Sequence, residues 1–445
     1  MERTGRRISA YIAGAVLLLT LGAGAGLLFG GGQREFSEEE NRTLAARPEF
    51  NIGDVVDAEF QSDFESFVSD QFPFRNSFIE INTRLRLLMG QSVINGVRYE
   101  GDYLIETLVV AGVDEERVAK SREYLSKAAS YFEDSGLKTS VIWIPDKEEA
   151  FGVSHPSWDL DTVCDSVLKL NLNLRDFYKT DHHWTSEGAY KAYKEIAMWN
   201  DLTDLCELGT EEEVCNDFLG TTHSKTLVAP EADSIIRYNL PYDIDLSVEY
   251  PEDYAKDLRN PESLYQYDKL SGKNKYEFFL GGNTSYVTVK NGFSADKSKK
   301  LLLFKDSFSN SLIPFLAADY EEILLIDLRY TGSDLAARIA EFEPDEVMFI
   351  FNRTSFINET SLYKLTAIYD SDSSEKIVED SEDDIIPDED DDIMVDDTDS
   401  DDDITVDDED TDDDILIEDE DSDDDILIED EDSDDDIFIE DQALA

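Results

Sequence analysis

An aspartate, two histidines and a tryptophan stand together at Asp181-His182-His183-Trp184. A carboxylate two residues before an imidazole can accept a hydrogen bond from the ring and fix its tautomer, if the segment turns into a helix. A second segment, Leu301 to Ser309, predicts a buried strand that ends at Ser307 where a helix begins, which is the placement of a nucleophile. Together, Asp181, His183 and Ser307 predict a site for hydrolysis or acyl transfer.

Each segment also has a simpler explanation. An Asp-His pair can lie on a surface, and a serine after a strand can serve only to cap a helix. Asp-His-His could also hold manganese, as in some phosphoesterases, but that chemistry needs further aspartates at strand ends, and the sequence has no matching cluster. We therefore predict neither a metal nor a cofactor. Trp184 is predicted to be buried beneath the motif.

The segments around these residues predict the layers that hold them. Apolar residues at helical spacing from Val118 to Phe132 precede a β-branched run from Thr139 to Ile144. Further strands are predicted by the continuous apolar runs at Lys300–Lys305, Glu322–Leu328 and Glu346–Phe351. Such runs predict a mostly parallel sheet covered on both faces, with reactive groups at the carboxyl ends of its strands. The sequence thus predicts a three-layer α/β domain over residues 106–369.

Two other regions surround this pattern. Residues 31–105 predict a lead-in region with helices at Val55–Phe67 and Ser77–Met89 and short strands near Tyr99–Ile105. Residues 201–299 have weak periodicity and predict an irregular insertion with a β-hairpin around Tyr276–Val289. The tyrosines of this insertion could stack on sugar faces or simply pack within it; they include Tyr265, Tyr267 and Tyr286.

The N-terminus predicts export. Arg3, Arg6 and Arg7 precede a run from Ile8 to Phe29 that has no charged residue and is long enough to span a bilayer. We interpret residues 1–30 as a membrane anchor, with a cleaved signal peptide as the alternative. In both cases the main domain lies outside the cytoplasm. Of the cysteines there, Cys206 and Cys215 could pair, or all three, with Cys164, could remain thiols.

The C-terminal region is strongly acidic. From Asp370 to the end there are 42 acidic residues and a single lysine, within a chain whose net charge is -66. Isoleucine recurs every eleven residues, at Ile393, Ile404, Ile415, Ile426 and Ile437. Dense like charge predicts a disordered tail over residues 370–445, and its carboxylates could bind calcium weakly. The acidic balance argues against a nucleic-acid partner, which requires basic patches.

In its motifs, the chain resembles the DHHW family, which is related to the alginate O-acetyltransferases and SGNH-hydrolase-like proteins of bacterial envelopes. The resemblance covers roughly residues 36–352. The segments that carry it are Glu38–Arg42, Asp70–Arg75, Pro145–Lys147, Asp181–Trp184, Lys305–Ser309 and Ile326–Tyr330.

The resemblance implies a flavodoxin-like domain in which Ser307 attacks an acyl carbonyl, His183 takes its proton and Asp181 orients His183. It also suggests Arg329 and Tyr330 as contacts for the acceptor or the oxyanion. Asn310 and Asn352 are further candidates for the oxyanion, and Trp184 is a further candidate to contact the substrate or the oxyanion. One departure from the family is Lys305, which stands where a glycine is usual. A lysine there could point to solvent or mark an inactive copy.

The function implied is that of an extracytoplasmic carbohydrate O-acetyltransferase or O-acetylesterase that acts on envelope polysaccharide through an acyl-serine. A membrane protein that passes acetyl groups outward is the partner expected from the family. The alternative is a catalytically inactive protein that binds polysaccharide or serves as a scaffold in the envelope.

Overall fold

The computed structural model of the 445-residue chain describes residues 33–40, 42–48, 59–202, 205–241, 246–292 and 298–370. The membrane anchor predicted at residues 1–30 and nearly all of the acidic tail lie outside the described residues, as does the start of the helix predicted from Val55. Among the helices in the described ranges, none has both the length and the apolar character needed to cross a bilayer.

The strands are numbered in chain order. They are β1 Phe36–Ser37, β2 Arg42–Thr43, β3 Val93–Ile94, β4 Val97–Glu100, β5 Tyr103–Glu106, β6 Lys138–Ile144, β7 Val167–Lys169, β8 Glu211–Phe218, β9 Asp233–Tyr238, β10 Leu246–Glu249, β11 Tyr286–Asn291, β12 Lys300–Lys305, β13 Glu322–Ile326 and β14 Glu346–Asn352.

The α-helices of the described residues are numbered in the same way. They are α1 Glu59–Gln71, α2 Arg75–Leu88, α3 Glu115–Asp134, α4 Lys147–Phe151, α5 Ser186–Trp199, α6 Thr221–Ser224, α7 Glu252–Ala255, α8 Ile313–Leu316, α9 Leu335–Phe342, α10 Arg353–Asn358 and α11 Thr366–Tyr369.

A seven-stranded sheet lies at the centre, in the order β10-β11-β13-β12-β14-β6-β7. The strands from β13 to β7 in this order are parallel, whereas β11 and β10 are antiparallel to their neighbours. This mixed α/β arrangement confirms the mostly parallel sheet that the apolar runs predicted.

Apolar residues on both faces of each central strand explain those continuous runs. Leu301 and Leu303 of β12 belong to the core beneath α5 and α8, whereas Leu302 and Phe304 belong to the core beneath α3 and α9. Because successive side chains of a strand point to opposite faces, only an unbroken apolar run can fill both layers. The Phe304 ring stacks on Phe349 of β14, with 4.6 Å between centroids.

The region predicted as an irregular insertion contributes to the main sheet. β10 and β11 both come from it, and β8 pairs with β9 in a separate two-stranded sheet. The hairpin predicted at Tyr276–Val289 is wrong, because Tyr276 lies in a 3₁₀ turn and only the residues from Tyr286 onward form a strand. Pairing of β11 with β13 buries Val287 and Val289 in the core, which a local hairpin would not achieve.

The three tyrosines singled out in this region differ in exposure. Tyr265 and Tyr286 are buried in the core, whereas Tyr267 is 46% exposed and its hydroxyl accepts a hydrogen bond from Arg237. Packing therefore accounts for two of these tyrosines.

The three cysteines all lie in described ranges and are thiols, so the Cys206–Cys215 disulfide does not form in this structure.

Ion pairs connect two of the lead-in segments that carry the family resemblance. The Arg42 guanidinium contacts Asp70 at 2.5 Å and Glu40 at 3.0 Å, and Arg75 also pairs with Glu40. The Asp70 carboxylate accepts a further hydrogen bond from the Ala45 amide. These contacts explain why acidic and basic residues recur in both segments.

The turn into α5 fixes the position of the Asp181–Trp184 segment. Thr185 caps the helix by accepting a hydrogen bond from the Gly188 amide at 3.1 Å, and its own amide donates to the Asp176 carbonyl at 2.9 Å. A Cβ atom at Gly188 would lie 2.1 Å from that same carbonyl oxygen. Only glycine therefore permits this close approach.

We expect Gly188→Ala to lower the free energy of unfolding by roughly 1 to 3 kcal/mol, because the added methyl group displaces the Asp176 carbonyl. Chemical denaturation measures this change. Gly112→Ala is the matched control, since a Cβ there meets its nearest neighbour at 4.0 Å. The control should be neutral or stabilising by up to about 1 kcal/mol. Equal destabilisation by both substitutions would contradict the close approach.

Candidate active site

Ser307 lies directly beyond the carboxyl end of β12, in a 3₁₀ turn that runs from Ser307 to Ser311. The residue that caps this turn is Asp306, whose carboxylate accepts hydrogen bonds from the Phe308 amide at 3.1 Å and the Asn352 amide at 2.5 Å. Burial raises the pKa of Asp306 to about 6, although the Asn352 hydrogen bond opposes this change. Because Asp306 is the cap, helix capping does not explain the serine.

A chain of hydrogen bonds joins the three residues that the sequence singled out. His183 Nε2 lies 2.8 Å from Ser307 Oγ, and His183 Nδ1 lies 2.6 Å from Asp181 Oδ1. All three residues are buried, with between 1% and 4% of each exposed. The structure therefore brings together residues 124 positions apart, in the order carboxylate, imidazole, hydroxyl.

The Asp181 carboxylate is held by groups from two segments. Its Oδ1 also accepts from the His183 amide at 2.9 Å, and its Oδ2 accepts from the Thr221 amide at 2.9 Å. Burial alone would raise the pKa of Asp181, but His183 and His182 and these hydrogen bonds lower it well below its usual range. Asp181 is thus an ionised acceptor, which can stabilise an imidazolium.

Gly220 allows this arrangement. A Cβ atom at that position would lie 2.1 Å from Asp181 Oδ2 and 2.3 Å from its Cβ. The next amide, that of Thr221, is the one that donates to the carboxylate. The turn that leads into α6 therefore approaches Asp181 closely only because residue 220 has no side chain.

Two aromatic residues hold the imidazole and the serine turn. The Tyr276 ring stacks on His183 with 3.8 Å between centroids and an interplanar angle of 11°. The Tyr276 hydroxyl contacts Ser311 Oγ at 3.0 Å and the Ser307 and Phe308 carbonyls at 3.3 Å. Trp184 Nε1 also donates to Ser311 Oγ, at 2.8 Å. Trp184 is fully buried, as predicted, and it supports the serine turn from below.

His182 occupies a different environment from His183. Its Nδ1 lies 2.6 Å from Thr221 Oγ1, and its ring centroid lies 3.9 Å from that of His183. Burial and the neighbouring His183 lower the pKa of His182 to about 4. His183 contacts both Asp181 and Ser307, whereas the His182 ring contacts Thr221.

Lys305 is buried rather than directed to solvent. Its Nζ donates to Asn310 Oδ1 at 2.7 Å and to Asn283 Oδ1 at 3.1 Å, and it lies 3.6 Å from Asp327 Oδ2. Burial lowers the pKa of Lys305, and the Asp327 carboxylate opposes this shift. The possibility that this lysine points to solvent is therefore wrong, because three acceptors are built around it.

The other proposed contacts belong to the same strand ends. Arg329 Nη2 pairs with Asp327 at 2.8 Å, and the Arg329 guanidinium lies over the partly exposed Tyr330 ring, 5.5 Å from its centroid. Asn310 Nδ2 donates to the Gly282 carbonyl at 3.3 Å and to Asn283 at 3.2 Å. The side-chain amide of Asn310 therefore already has protein partners.

Asn352, the other candidate for the oxyanion, is the cap of α10. Its Oδ1 accepts from the Ser355 amide at 3.1 Å, and its Nδ2 donates to the Ile144 carbonyl at 3.4 Å. The backbone amide of Asn352 is the group that contacts Asp306. The structure thus connects Asn352 to the serine turn through its main chain.

One group of three residues could hold a metal ion within the part of the chain that the structure describes. Asp181, His182 and His183 each offer a ligand atom, and these atoms all lie within 4.8 Å of one another. However, both ring nitrogens of His183 already have partners in Asp181 and Ser307. A metal there would have to replace the hydrogen bonds that define the chain of three residues.

Several residues of the site were not found from sequence. Tyr276, Thr221 and Gly220 all come from the region predicted as an irregular insertion, and Asp306 lies between the predicted strand and Ser307. A buried tyrosine in a loop-rich segment gives no periodic signal. Of these residues, only the role of Asp306 could have been predicted, since an aspartate between a strand and a turn is a common cap.

We expect the Tyr276 ring, which stacks on His183, to position that imidazole and to stabilise the imidazolium that forms as Ser307 reacts. Tyr276→Leu should slow covalent labelling of Ser307 by a fluorophosphonate roughly 2- to 30-fold, the range of a partly buried cation–π contact. Tyr276→Phe, which keeps the ring, should lie within about a few fold of wild type, since it loses only neutral hydrogen bonds. Mass spectrometry of the Ser307 peptide follows the rate. Tyr267→Leu is the matched control. If Tyr267→Leu slowed the labelling of Ser307 as much as Tyr276→Leu does, the role of Tyr276 would be contradicted.

His223 of α6 should make stability depend on pH. Burial lowers its pKa to about 4, so below about pH 6.5 the unfolded chain binds a proton that the folded chain does not. The stability that neutral His223 provides is complete above pH 6.5 and is lost as the pH falls towards 4. Relative to wild type, His223→Gln should therefore gain up to about 1.4 kcal/mol per pH unit across this window. Denaturation at several pH values tests it, and a constant difference from pH 8 to 4 would refute it.

The comparisons with known proteins agree with the motifs. Residues 165–326 match the sequence model of the family described as DHHW protein. No curated protein matches the chain. A crystal structure of a DHHW family protein from Eubacterium siraeum is 19% identical and superimposes with a TM-score of 0.50, covering 62% of this chain and 96% of that one.

Two further solved structures are more distant. PatB1 of Bacillus cereus with a sulfonyl adduct is 15% identical, with a TM-score of 0.47 over 60% of this chain and 97% of that one. The O-acetyltransferase domain of Pseudomonas putida AlgJ is 12% identical, with a TM-score of 0.35 over 64% and 99%. The chain thus resembles the DHHW family over residues 165–326, as its motifs predicted, and it shares the fold of the Eubacterium siraeum protein.

Proposed function

We propose that this chain is a serine acyl-transfer enzyme in which Ser307 is the nucleophile, His183 the general base and Asp181 the residue that orients and stabilises the base. The observation that carries the proposal is the buried chain of hydrogen bonds from Asp181 Oδ1 through both nitrogens of His183 to Ser307 Oγ. Both distances are within the range required for proton transfer.

In the first half-reaction, Ser307 Oγ attacks the carbonyl carbon of an acyl donor while His183 Nε2 takes the hydroxyl proton. The tetrahedral intermediate then collapses, the bond to the leaving group breaks, and His183 returns the proton to the leaving oxygen. An acyl-serine remains. The imidazolium exists only while the proton is on His183, and the ionised Asp181 stabilises it during that interval.

In the second half-reaction, an acceptor hydroxyl attacks the acyl-serine and His183 takes the acceptor's proton. The carbonyl carbon bonds to the acceptor oxygen, the ester bond to Ser307 breaks, and Ser307 Oγ receives the proton from His183. If the acceptor is a sugar hydroxyl the reaction is transfer, and if it is water the reaction is hydrolysis.

We further propose that the acyl group is acetyl and that the acceptor or substrate is a polysaccharide of the cell envelope. The relationship to the DHHW family supports this choice, and the uncharged run at residues 8–29 supports a location in the cell membrane with the main domain outside the cytoplasm. For the transfer reaction, we propose a membrane protein that supplies acetyl groups as the partner.

Full-length protein in detergent should hydrolyse p-nitrophenyl acetate. We expect Ser307→Ala and His183→Ala each to lower kcat/KM by about 10³-fold or more, because members of such a triad act as a unit. Ser309→Ala is the matched control, since this serine is also buried and lies two residues away, and it should retain most of the rate. Equal rates in the wild type and both triad variants would instead favour a polysaccharide-binding or scaffold protein.

Transfer and hydrolysis are separated by adding an oligosaccharide acceptor. A transferase should increase the acceptor's mass by one acetyl group in a reaction that Ser307→Ala abolishes. An esterase should release acetate from an acetylated oligosaccharide and leave an unacetylated one unchanged.

A further inference from the structure

Within the part of the chain that the structure describes, helix α2 has an apolar face that belongs to neither core cluster. The six residues of this face are exposed to between 52% and 83%, and we call them the apolar stripe: Phe74, Phe78, Ile81, Leu85, Leu88 and Met89. From Phe74 to Leu88 they are spaced alternately by four and three residues, which places them on one side of the helix. The stripe is about 20 Å long, since each helical residue rises by about 1.5 Å.

The opposite face of α2 holds the helix on the domain. Thr83 is fully buried, and its hydroxyl donates to the Thr226 carbonyl at 3.0 Å. The turn between β3 and β4, which follows α2 in the chain, is fixed as well, because the Asn95 side chain donates to the Lys225 carbonyl at 3.1 Å. The helix is therefore oriented by the domain, and the direction in which the apolar stripe faces is set by the fold.

The first described residues of the chain lie at the end of α1, close to the start of α2. The Arg34 amide donates to Gln71 Oε1 at 3.0 Å, the Gln71 side-chain amide donates back to the Arg34 carbonyl at 2.8 Å, and Arg34 Nη2 donates to the Asp70 carbonyl at 2.6 Å. Residue 34 is thus fixed at Gln71, the last residue of α1. The apolar stripe begins three residues after Gln71, at Phe74.

Chain length then limits where a bilayer can be. The last large apolar residue of the uncharged run is Phe29, five residues before Arg34. Five residues span at most about 18 Å when fully extended. If the run from Ile8 to Phe29 lies in a membrane, the end of α1 and the start of the apolar stripe must lie within about that distance of the membrane surface.

Charges beside the apolar stripe suit the headgroup region. Arg84 and Arg86 are each rotated by about 100° from Leu85, in opposite directions, so they flank the apolar stripe on both sides. The Arg84 side chain is 59% exposed and pairs with Glu80. Arginines that flank an apolar helix face can reach lipid phosphates while the apolar residues enter the acyl boundary.

We propose that α2 lies on the outer surface of the membrane, with the apolar stripe inserted at the interface, so that the domain has a second membrane contact besides the anchor. The proposal rests on the proposed membrane location but not on acyl transfer. A lipid bilayer would then cover the exposed apolar residues. The short connection from Phe29 already places the bilayer close to them.

The test uses full-length Ser307→Ala protein reconstituted in phosphatidylcholine vesicles, with and without phosphatidylglycerol, at about one chain per vesicle. In a Cys164→Ser background, which removes the native thiol that is not buried, a thiol-reactive fluorophore is attached at Leu88→Cys or, as control, at Met198→Cys, which is 73% exposed on α5. We expect the label at position 88 to be quenched by aqueous iodide at least about fivefold less than the label at position 198. Phe78→Ser with Leu85→Ser should restore quenching at position 88.

Equal quenching at the two positions, or a chain that does not float with the vesicles, would overturn the proposal. Protection of position 88 only at many chains per vesicle would also overturn it, because it would identify a second copy of the chain as the occupant. Since the Ser307→Ala background removes the proposed nucleophile, the result does not depend on whether the wild type is active.

Discussion

The ionised carboxylate of Asp181 is the group around which the candidate site is organised. A buried charge is costly unless several donors compensate it. Here the compensation comes from its own segment, through the His183 ring and amide, and from a distant segment, through the Thr221 amide. The geometry of the imidazole therefore depends on a contact between two parts of the chain, and that contact depends on the absence of a side chain at Gly220.

The serine side of the site is organised by a second group of polar side chains at the carboxyl ends of parallel strands. Asp306 follows β12, Asp327 follows β13 and Asn352 ends β14, and each accepts or donates a hydrogen bond at the turn that follows its strand. Lys305 is accommodated because Asp327 and two asparagine oxygens surround it. A lysine in place of the usual glycine thus joins an existing polar network instead of disturbing the position of Ser307.

The sequence predicted what depends on local pattern. The apolar runs of β6, β12, β13 and β14 predicted the central sheet, and the pairing of Asp181 with His183 followed from their separation by two residues. What the sequence did not predict depends on contacts between residues distant in the chain. The strand Tyr286–Asn291 pairs with β13 because this pairing buries its valines. The Tyr276 ring stacks on His183 from a turn whose sequence has no periodicity. The spatial meeting of His183 with Ser307 required the family resemblance as well as the pattern.

The region between residues 201 and 299 has a consequence for how such proteins can diversify. Segments of weak periodicity beside a site are usually where recognition of different acceptors evolves, because loops tolerate change. In this chain the same region supplies Tyr276, Gly220 and Thr221, which lie against His183 and Asp181. Exchanging this stretch between relatives would therefore change the surroundings of His183 and Asp181 together with the surface that the stretch itself forms.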